Sequence, residues 1–300
     1  MNKIAVIGSL NIDLVAVTDI SPKMGETVMG KEFTIFPGGK GANQATAAAR
    51  LGGSVNLFGT VGDDQHGNLL LDQLSKNNVR ISNIQKQSEW PTGCAMIEIC
   101  DAQNRIIVVP GANAKTDAGY LQGKINDLLE AEVILISMEI PVNAIEYIVK
   151  ELAKYGKKII LNPAPAVPLS EEIISHCTYL LPNEHEAEII FNGKYEEAEA
   201  LKKYANKLLI TKGEQGISYF TGQEIETVPA IKVNPVDSTG AGDTFAGAFS
   251  FAVSERKPLK ECMEFAAIAA GLSVEKRGAQ SGMPTAAEVQ EYCSRVSRDD

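Results

Sequence analysis

The stretch VILISMEIPVNAIEYIVKELAKYGKKIIL, residues Val133 to Leu161, carries a complete strand–helix–strand pattern. Val133–Ser137 is a short apolar run of strand length. Val142–Tyr155 places Ile145, Ile148, Val149 and Leu152 at helical spacing and stops before Gly156. Lys158–Leu161 is apolar again. A strand, a covering helix and a second strand in succession make parallel neighbours buried on both faces. Working outward, similar apolar runs occur at Ile4–Gly8, Tyr179–Leu181 and Leu208–Thr211. Helical patterns occur at Gln65–Asn77, with Leu69, Leu70 and Leu74, and at Glu196–Asn206. The expected fold class is α/β: a mostly parallel central sheet with helices on both faces. Ligands of such sheets bind beyond the carboxyl ends of the strands.

Two stretches break the alternation. Leu14–Thr18 and Thr27–Pro37 read as strands joined through the turn residues Ser21, Pro22 and Gly25. Gly93–Ile99 and Arg105–Pro110 read as a hairpin across Asp101–Asn104. With no helix between their strands, they are expected to form one small antiparallel sheet that acts as a lid. The expected division is a core of residues 1–10, 45–90 and 114–300, with a lid of residues 11–44 and 91–113.

Composition excludes several classes. An apolar share of 44% supports a large core, and 28 basic against 38 acidic residues give a net charge of −10. That balance argues against nucleic-acid binding and against a polybasic membrane anchor. No run of about 18 apolar residues suggests a membrane helix. The start of the chain reads as a buried strand rather than a signal peptide. Five widely spaced cysteines (Cys94, Cys100, Cys177, Cys262 and Cys293) fit a reducing, cytoplasmic setting better than a disulfide framework.

The segment Asp237-Ser-Thr-Gly-Ala-Gly-Asp243 runs into TFAGAFSFAVSE, an apolar helical pattern. It delivers small residues and free N–H groups to a helix N-terminus, which suits an anion. A carboxylate such as Asp243 in a first turn also caps helices, and this segment alone leaves both readings open. Gly38-Gly-Lys-Gly-Ala-Asn43 opens the helical run Gln44–Arg50. It has neither Walker A nor dinucleotide-fingerprint spacing. Three glycines in four residues suggest close backbone approach to a polar ligand; a tight turn with a solvated Lys40 is the plainer reading.

Asn11 and Asp13 alternate with Leu10 and Ile12 after the first strand and share one face if extended. One amide and one carboxylate suit vicinal hydroxyls, although polar turn residues look the same. In Leu181-Pro-Asn-Glu-His-Glu-Ala-Glu188, Asn183 and Glu186 fit either helix capping or Mg²⁺-water and phosphate positioning. Leu209-Ile-Thr-Lys-Gly-Glu-Gln-Gly216 reads as a strand and turn leading into Ile217–Phe220. Glu275–Pro284 reads as a glycine-rich loop after the helix Leu259–Val274.

Together these segments resemble the ribokinase-like (PfkB) family of carbohydrate kinases, from Ile4 to about Pro284. The resemblance rests on GSLNID, GETVMG, GGKGANQA, NPAPA, PNEHEAE, DSTGAGDTF and RGAQSGMP in that order. It implies ATP-dependent transfer of the γ-phosphoryl group to a sugar hydroxymethyl. NPAPA with RGAQ narrows this toward the 5-hydroxyl of D-ribose. Deoxyribose, another furanose or a nucleoside are the alternatives, and a non-catalytic sugar sensor is a further one.

By this resemblance Asp243 is the base, the N–H groups of Ala241, Gly242 and Asp243 form the anion hole, and Gly240 belongs to the same catalytic turn. Asn11, Asp13, Gly39, Lys40, Gly41, Ala42, Asn43 and Glu139 match sugar contacts. Asn183 and the turn Thr211, Lys212, Gly213, Glu214, Gln215 and Gly216 match nucleotide contacts, beside Gly242 and Asp243. Glu186 matches the Mg²⁺ region. A monovalent cation, K⁺, is implied at Asp237, Thr239, Ser273, Lys276 and Gly278. Gly282 stands where the family often has serine, so the last ligand there would be a carbonyl or water. Ala267 replaces a common polar adenine contact. The lid strands carry Val28, Phe33, Ile35, Phe36, Met96, Ile97, Ile99, Ile106, Val108 and Val109. That is more apolar surface than one sugar covers, so a homodimer through the lid is expected, and the resemblance implies the same.

Overall fold

The computed structural model describes residues 3–101 and 103–299. Residues 1–2 and 300 of the expected core, and residue 102 of the expected 101–104 turn, lie outside the described residues. In chain order the strands are β1 Lys3–Ile7, β2 Asn11–Thr18, β3 Gly30–Gly38, β4 Ser54–Gly62, β5 Ile84–Gln87, β6 Gly93–Cys100, β7 Gln103–Val109, β8 Val133–Ser137, β9 Lys158–Asn162, β10 Tyr179–Leu180, β11 Ile210–Thr211, β12 Ile217–Phe220 and β13 Ile225–Val228. The helices are α1 Lys40–Arg50, α2 Gln65–Lys76, α3 Ala118–Gly123, α4 Ile125–Leu129, α5 Val142–Ala153, α6 Glu171–His176, α7 Glu184–Ile190, α8 Glu197–Lys203, α9 Ala241–Ser254, α10 Leu259–Ser273, α11 Ala279–Gly282 and α12 Ala286–Asp299.

Among the described residues there are three sheets. The central one is parallel throughout, in the order β10-β9-β8-β1-β4-β5. Successive β1 side chains point to opposite faces, as a strand demands. Ile4 and Val6 join one core cluster with α1, α9 and α10, whereas Ala5 and Ile7 join another with α5. The α5 stripe of Ile145, Ile148, Val149 and Leu152 is fully buried, as its periodicity requires.

The four-stranded lid sheet has the order β3-β2-β6-β7. Its two outer pairings are antiparallel, but β2 and β6 run parallel in the middle. The expected antiparallel sheet is therefore mixed. Each half is a hairpin that leaves the core separately, and their first strands point the same way. The first lid hairpin ends at Gly38, and α1 begins at Lys40. Residues 40–44, expected in the lid, thus form the first turn of a helix packed on α9. β4 and β5, which no apolar run announced, extend the central sheet. A separate antiparallel sheet, β11-β12-β13, grows from the expected turn and strand at 209–220.

Candidate functional site

Asp243 lies in the first turn of α9. The turn begins at Gly240, whose φ of 80° is a left-handed conformation that favours glycine. Ala241 N–H donates back to Ser238 O at 3.2 Å and Thr244 N–H to Gly240 O at 2.8 Å. Ala241, expected in the anion hole, therefore spends its N–H closing the turn. The N–H groups of Gly242 and Asp243 receive no acceptor from the preceding loop and remain directed at the helix N-terminus.

The Asp243 carboxylate is held on both oxygens. Asn43 Nδ2 donates to Oδ2 at 3.0 Å and Gln44 Nε2 to Oδ1 at 3.0 Å. The same Gln44 nitrogen donates to Asn162 Oδ1 at 3.0 Å, and Asn162 Nδ2 donates to Leu181 O at 2.9 Å. Gln44 Oε1 is buried with no hydrogen-bond partner among the described residues. Two acceptors thus dictate the orientation of this amide at the expense of its own oxygen. An ionised carboxylate has about four lone-pair positions, so two contacts leave room for a hydroxyl.

Asp243, Gly240 and Lys40 form the wall between two cavities. The larger, of about 810 Å³, is also lined by Asn11, Asp13, Gly39, Asn43 and Glu139, and roofed by lid residues including Ile97 and Val108. The smaller, of about 270 Å³, is also lined by Asn162, Asn183, Glu186, Thr211 and Gly242. Asn11, Asp13, Lys40, Asn43, Glu139 and Asp243 are brought together as expected. Gly41 and Ala42 line neither cavity. A Cβ on Gly41 would stand 2.5 Å from the Gly8 carbonyl carbon, and Ala42 N–H donates to Ser9 O. The two are packing residues of α1 against the end of β1. The glycine cluster serves chain packing first: Gly39 has φ 88° and passes so close to Asn11 that a Cβ would lie 2.5 Å from its nitrogen.

Asn183 and Glu186 form a reciprocal capping box, with N–H to side-chain distances of 2.8 Å both ways. Capping and cavity lining coexist here. The expected nucleotide turn is only partly at the cavity. Thr211 lines it, whereas Lys212 pairs with Glu197 at 2.5 Å and Gly213–Gln215 is a short helical turn beyond it. Ala267 sits in the hydrophobic core on α10.

Glu139 follows β8 and accepts from Ser9 Oγ, from Asn11 Nδ2 at 3.2 Å and from Lys40 N–H at 3.3 Å. Asn113 went unnoticed in the sequence, yet it holds Asn11. Its Nδ2 donates to Asn11 Oδ1 at 2.7 Å, while its amide bridges both backbone groups of Leu10. A neutral amide at no recognisable spacing gave no signal.

Negative charge dominates the larger cavity. Burial first, then Glu139 and Asp243, push Asp13 up from 3.8 to about 7. Asp243 is the main cause holding Lys40 above its ordinary value, against its burial, with Glu139 and Glu186 adding to it. Burial raises Glu186, offset in part by the Asn183 N–H and Lys40.

Asp13 supplies a pH test. Between its ordinary value and about 7 the folded chain binds more protons at this site than the unfolded chain, so its contribution to stability falls as pH rises. The melting temperature of the empty protein is expected to drop between about pH 5 and about pH 8, and Asp13→Asn to remove much of that drop. Melting curves across that range check it; parallel profiles for variant and wild type would refute it.

No helix among the described residues is long and apolar enough to cross a membrane. The model of the pfkB family carbohydrate kinases matches residues 1–286. The chain is 46% identical over 294 residues to the ribokinase of Bacillus subtilis, covering 98% of this chain and 100% of that one. The crystal structure of a Thermotoga maritima ribokinase matches with a TM-score of 0.89 at 35% identity, over 98% of this chain and 100% of the other. An Arabidopsis thaliana ribokinase complexed with ribose and ATP matches with a TM-score of 0.86 at 31% identity, over 97% and 98%. The match runs through both cavities and the helix end between them, and this chain belongs to the pfkB family of carbohydrate kinases.

Proposed function

We propose that the protein transfers the γ-phosphoryl group of ATP to the 5-hydroxyl of D-ribose, giving ribose 5-phosphate and ADP. The observation that carries this reading is the shared wall of the two cavities, made of Asp243, Gly240 and Lys40. A sugar in the larger cavity presents its vicinal hydroxyls to Asn11 and Asp13 and its hydroxymethyl to Asp243. The triphosphate occupies the smaller cavity. The hydroxyl oxygen bonds to the γ-phosphorus, its proton passes to Asp243, and the bond to the ADP oxygen breaks. Positioning and charge stabilisation dominate such transfers. The N–H groups of Gly242 and Asp243 and the Lys40 ammonium meet the charge on the transferring group. The names of the relatives, and the ribose and ATP in one of them, support ribose as acceptor.

Glu186 and Asp243 face the smaller cavity, and one or two carboxylates with phosphates and waters are the usual Mg²⁺ setting. Asp237, Thr239 and the carbonyls of Ser273, Lys276 and Gly278 would hold K⁺. A Cβ at Gly282 would stand 2.5 Å from Ser273 O and 3.5 Å from Lys276 O, so two carbonyls converge there. Such oxygens suit K⁺, which would add positive charge beside the helix end. Asp237 lies below its ordinary value: burial opposes this, but Thr239 and the Gly278 N–H outweigh it.

The test is ADP release with ATP, Mg²⁺ and a panel of sugars and nucleosides, in K⁺ and in Na⁺. Ribose is expected to give the highest kcat/KM, and K⁺ the higher rate. A panel in which nothing raises ADP release removes the kinase reading; equal rates in both salts remove the cation site.

The lid fits a homodimer and a closing cover. Opposed residues of paired strands share a face. Asp13, Ala95 and Val108 lie over the cavity with Val15, Ile97 and Ile106; Ile35, Leu14, Met96 and Ile107 face away. Ile106, Ile107, Met96 and Phe33 are all more than half exposed. Ile97→Asp or Val108→Asp is expected to yield monomers with weaker ribose binding. Sedimentation decides it: a micromolar wild-type monomer, or a dimer that survives both changes, sinks the dimer. Cys177 and Cys262 are buried as thiols, which fits a reducing, cytoplasmic setting.

A further inference from the structure

Asn43 can serve Asp243 only in one of its two amide orientations. With Nδ2 toward the carboxylate it donates; turned by half a rotation it sets oxygen against oxygen. The group that selects the donating orientation is Gln280, whose Nε2 donates to Asn43 Oδ1 at 3.1 Å. Gln280 is buried and reaches Asn43 from the far end of the chain, on the short helix α11. Its backbone is itself fixed. Arg50 donates from one guanidinium nitrogen to Gln280 O and to Met283 O, each at 2.8 Å. Gly278 N–H donates to Asp237 Oδ2 at 2.8 Å, while Asp237 Oδ1 accepts from Thr239 N–H at 2.9 Å in the loop that leads into α9. The Ala279 side chain closes on Gly240, where a Cβ would meet it at 2.8 Å. The segment 277–283 therefore touches both halves of the catalytic apparatus: the helix end through Asp237 and Gly240, and the carboxylate through Asn43.

We propose that Gln280 is a positioning residue for Asp243, acting through Asn43, so that the order of segment 277–283 sets the orientation of the base. This rests on Asp243 being the base. A donor fixed by a second buried donor loses no orientational freedom when the substrate arrives, which is how a supporting shell keeps a reacting group in place.

The experiment is a double-mutant cycle on kcat. Gln280→Leu removes the donor at similar size and is expected to lower kcat by on the order of 10-fold, with KM for ATP unchanged. Gln280→Glu offers an acceptor in its place, draws Asn43 Nδ2 away from Asp243, and is expected to lower kcat further. In an Asn43→Ala background, Gln280→Leu is expected to cost less than about twofold, because its route is already cut. A purely structural residue would lower the melting temperature and keep its full cost in that background, which overturns the proposal. If Gln280→Leu does not fold, Gln280→Met runs the same cycle. The two readings fail separately. Wild-type kcat in Asp243→Asn removes the base and this proposal with it. A crippled Asp243→Asn beside a wild-type-like Gln280→Leu removes the Gln280 proposal alone.

Discussion

Asp243→Asn is expected to reduce kcat by about 10²–10⁴-fold, the usual contribution of a general base, while ribose binding changes only a few-fold. The side chain keeps its shape, and at least one of the donors Asn43 and Gln44 still finds an oxygen on it. The other donor meets an NH₂ group, so a modest fall in melting temperature accompanies the loss. What disappears is the second carboxylate oxygen that takes the hydroxyl proton as the new P–O bond forms. Steady-state rates with an independent ribose-binding measurement separate the two effects. A variant within twofold of wild-type kcat would take Asp243 out of the mechanism.

Gly41→Ala is expected to damage both folding and affinity, although Gly41 reaches no cavity. Its would-be Cβ lies 2.5 Å and 2.7 Å from backbone atoms of Gly8, and neither chain can give way alone. β1 is a central strand, paired on both sides. The strain must therefore move α1, which carries Lys40, Asn43 and Gln44. Overpacking of this kind costs roughly 1–3 kcal/mol. The expected result is a melting temperature lower by several degrees, with ribose KM raised and kcat lowered together. Calorimetry and kinetics on the same preparation check it. Wild-type stability with a selective loss of ribose affinity would instead return Gly41 to the binding residues.

The fold was legible where burial leaves a pattern. Val133–Leu161 reads correctly from its own residues because strand, helix and strand are each apolar at their own period. β4 is equally buried but stayed hidden. Asn56 interrupts its apolar run, and Gly59 lies where Leu10 and Gly8 cross so closely that a Cβ would be 2.4 Å from the Leu10 side chain. A glycine demanded by a neighbour looks, in sequence, like a turn. The site divides the same way. The charged residues Asp13, Lys40 and Asp243 stand out in their own segments, and Glu139 came with the resemblance. The neutral amides that hold them, Gln44, Asn113, Asn162 and Gln280, carry no signal until distant segments meet. The glycines of Gly38–Gly41 were visible and suggested a ligand; Gly39 does line the larger cavity, while Gly39 and Gly41 also let the chain pass close to the link between β1 and β2.

The parallel pairing in the middle of the lid also dictates an order of assembly. Asn11 registers with Gly93, so the pair closes a loop containing α1, β4, α2 and β5. Closing a loop that long costs chain entropy that local contacts do not return. A lone two-stranded hairpin is marginal in water. The β2–β3 hairpin, leaving the ribosome first with Phe33, Ile35 and Phe36 bare, must therefore wait for the central sheet to carry β6 to its side. The middle pairing of the sheet that covers the substrate is thus a long-range one, and until it closes the edges of β2 and β6 are open to neighbouring chains.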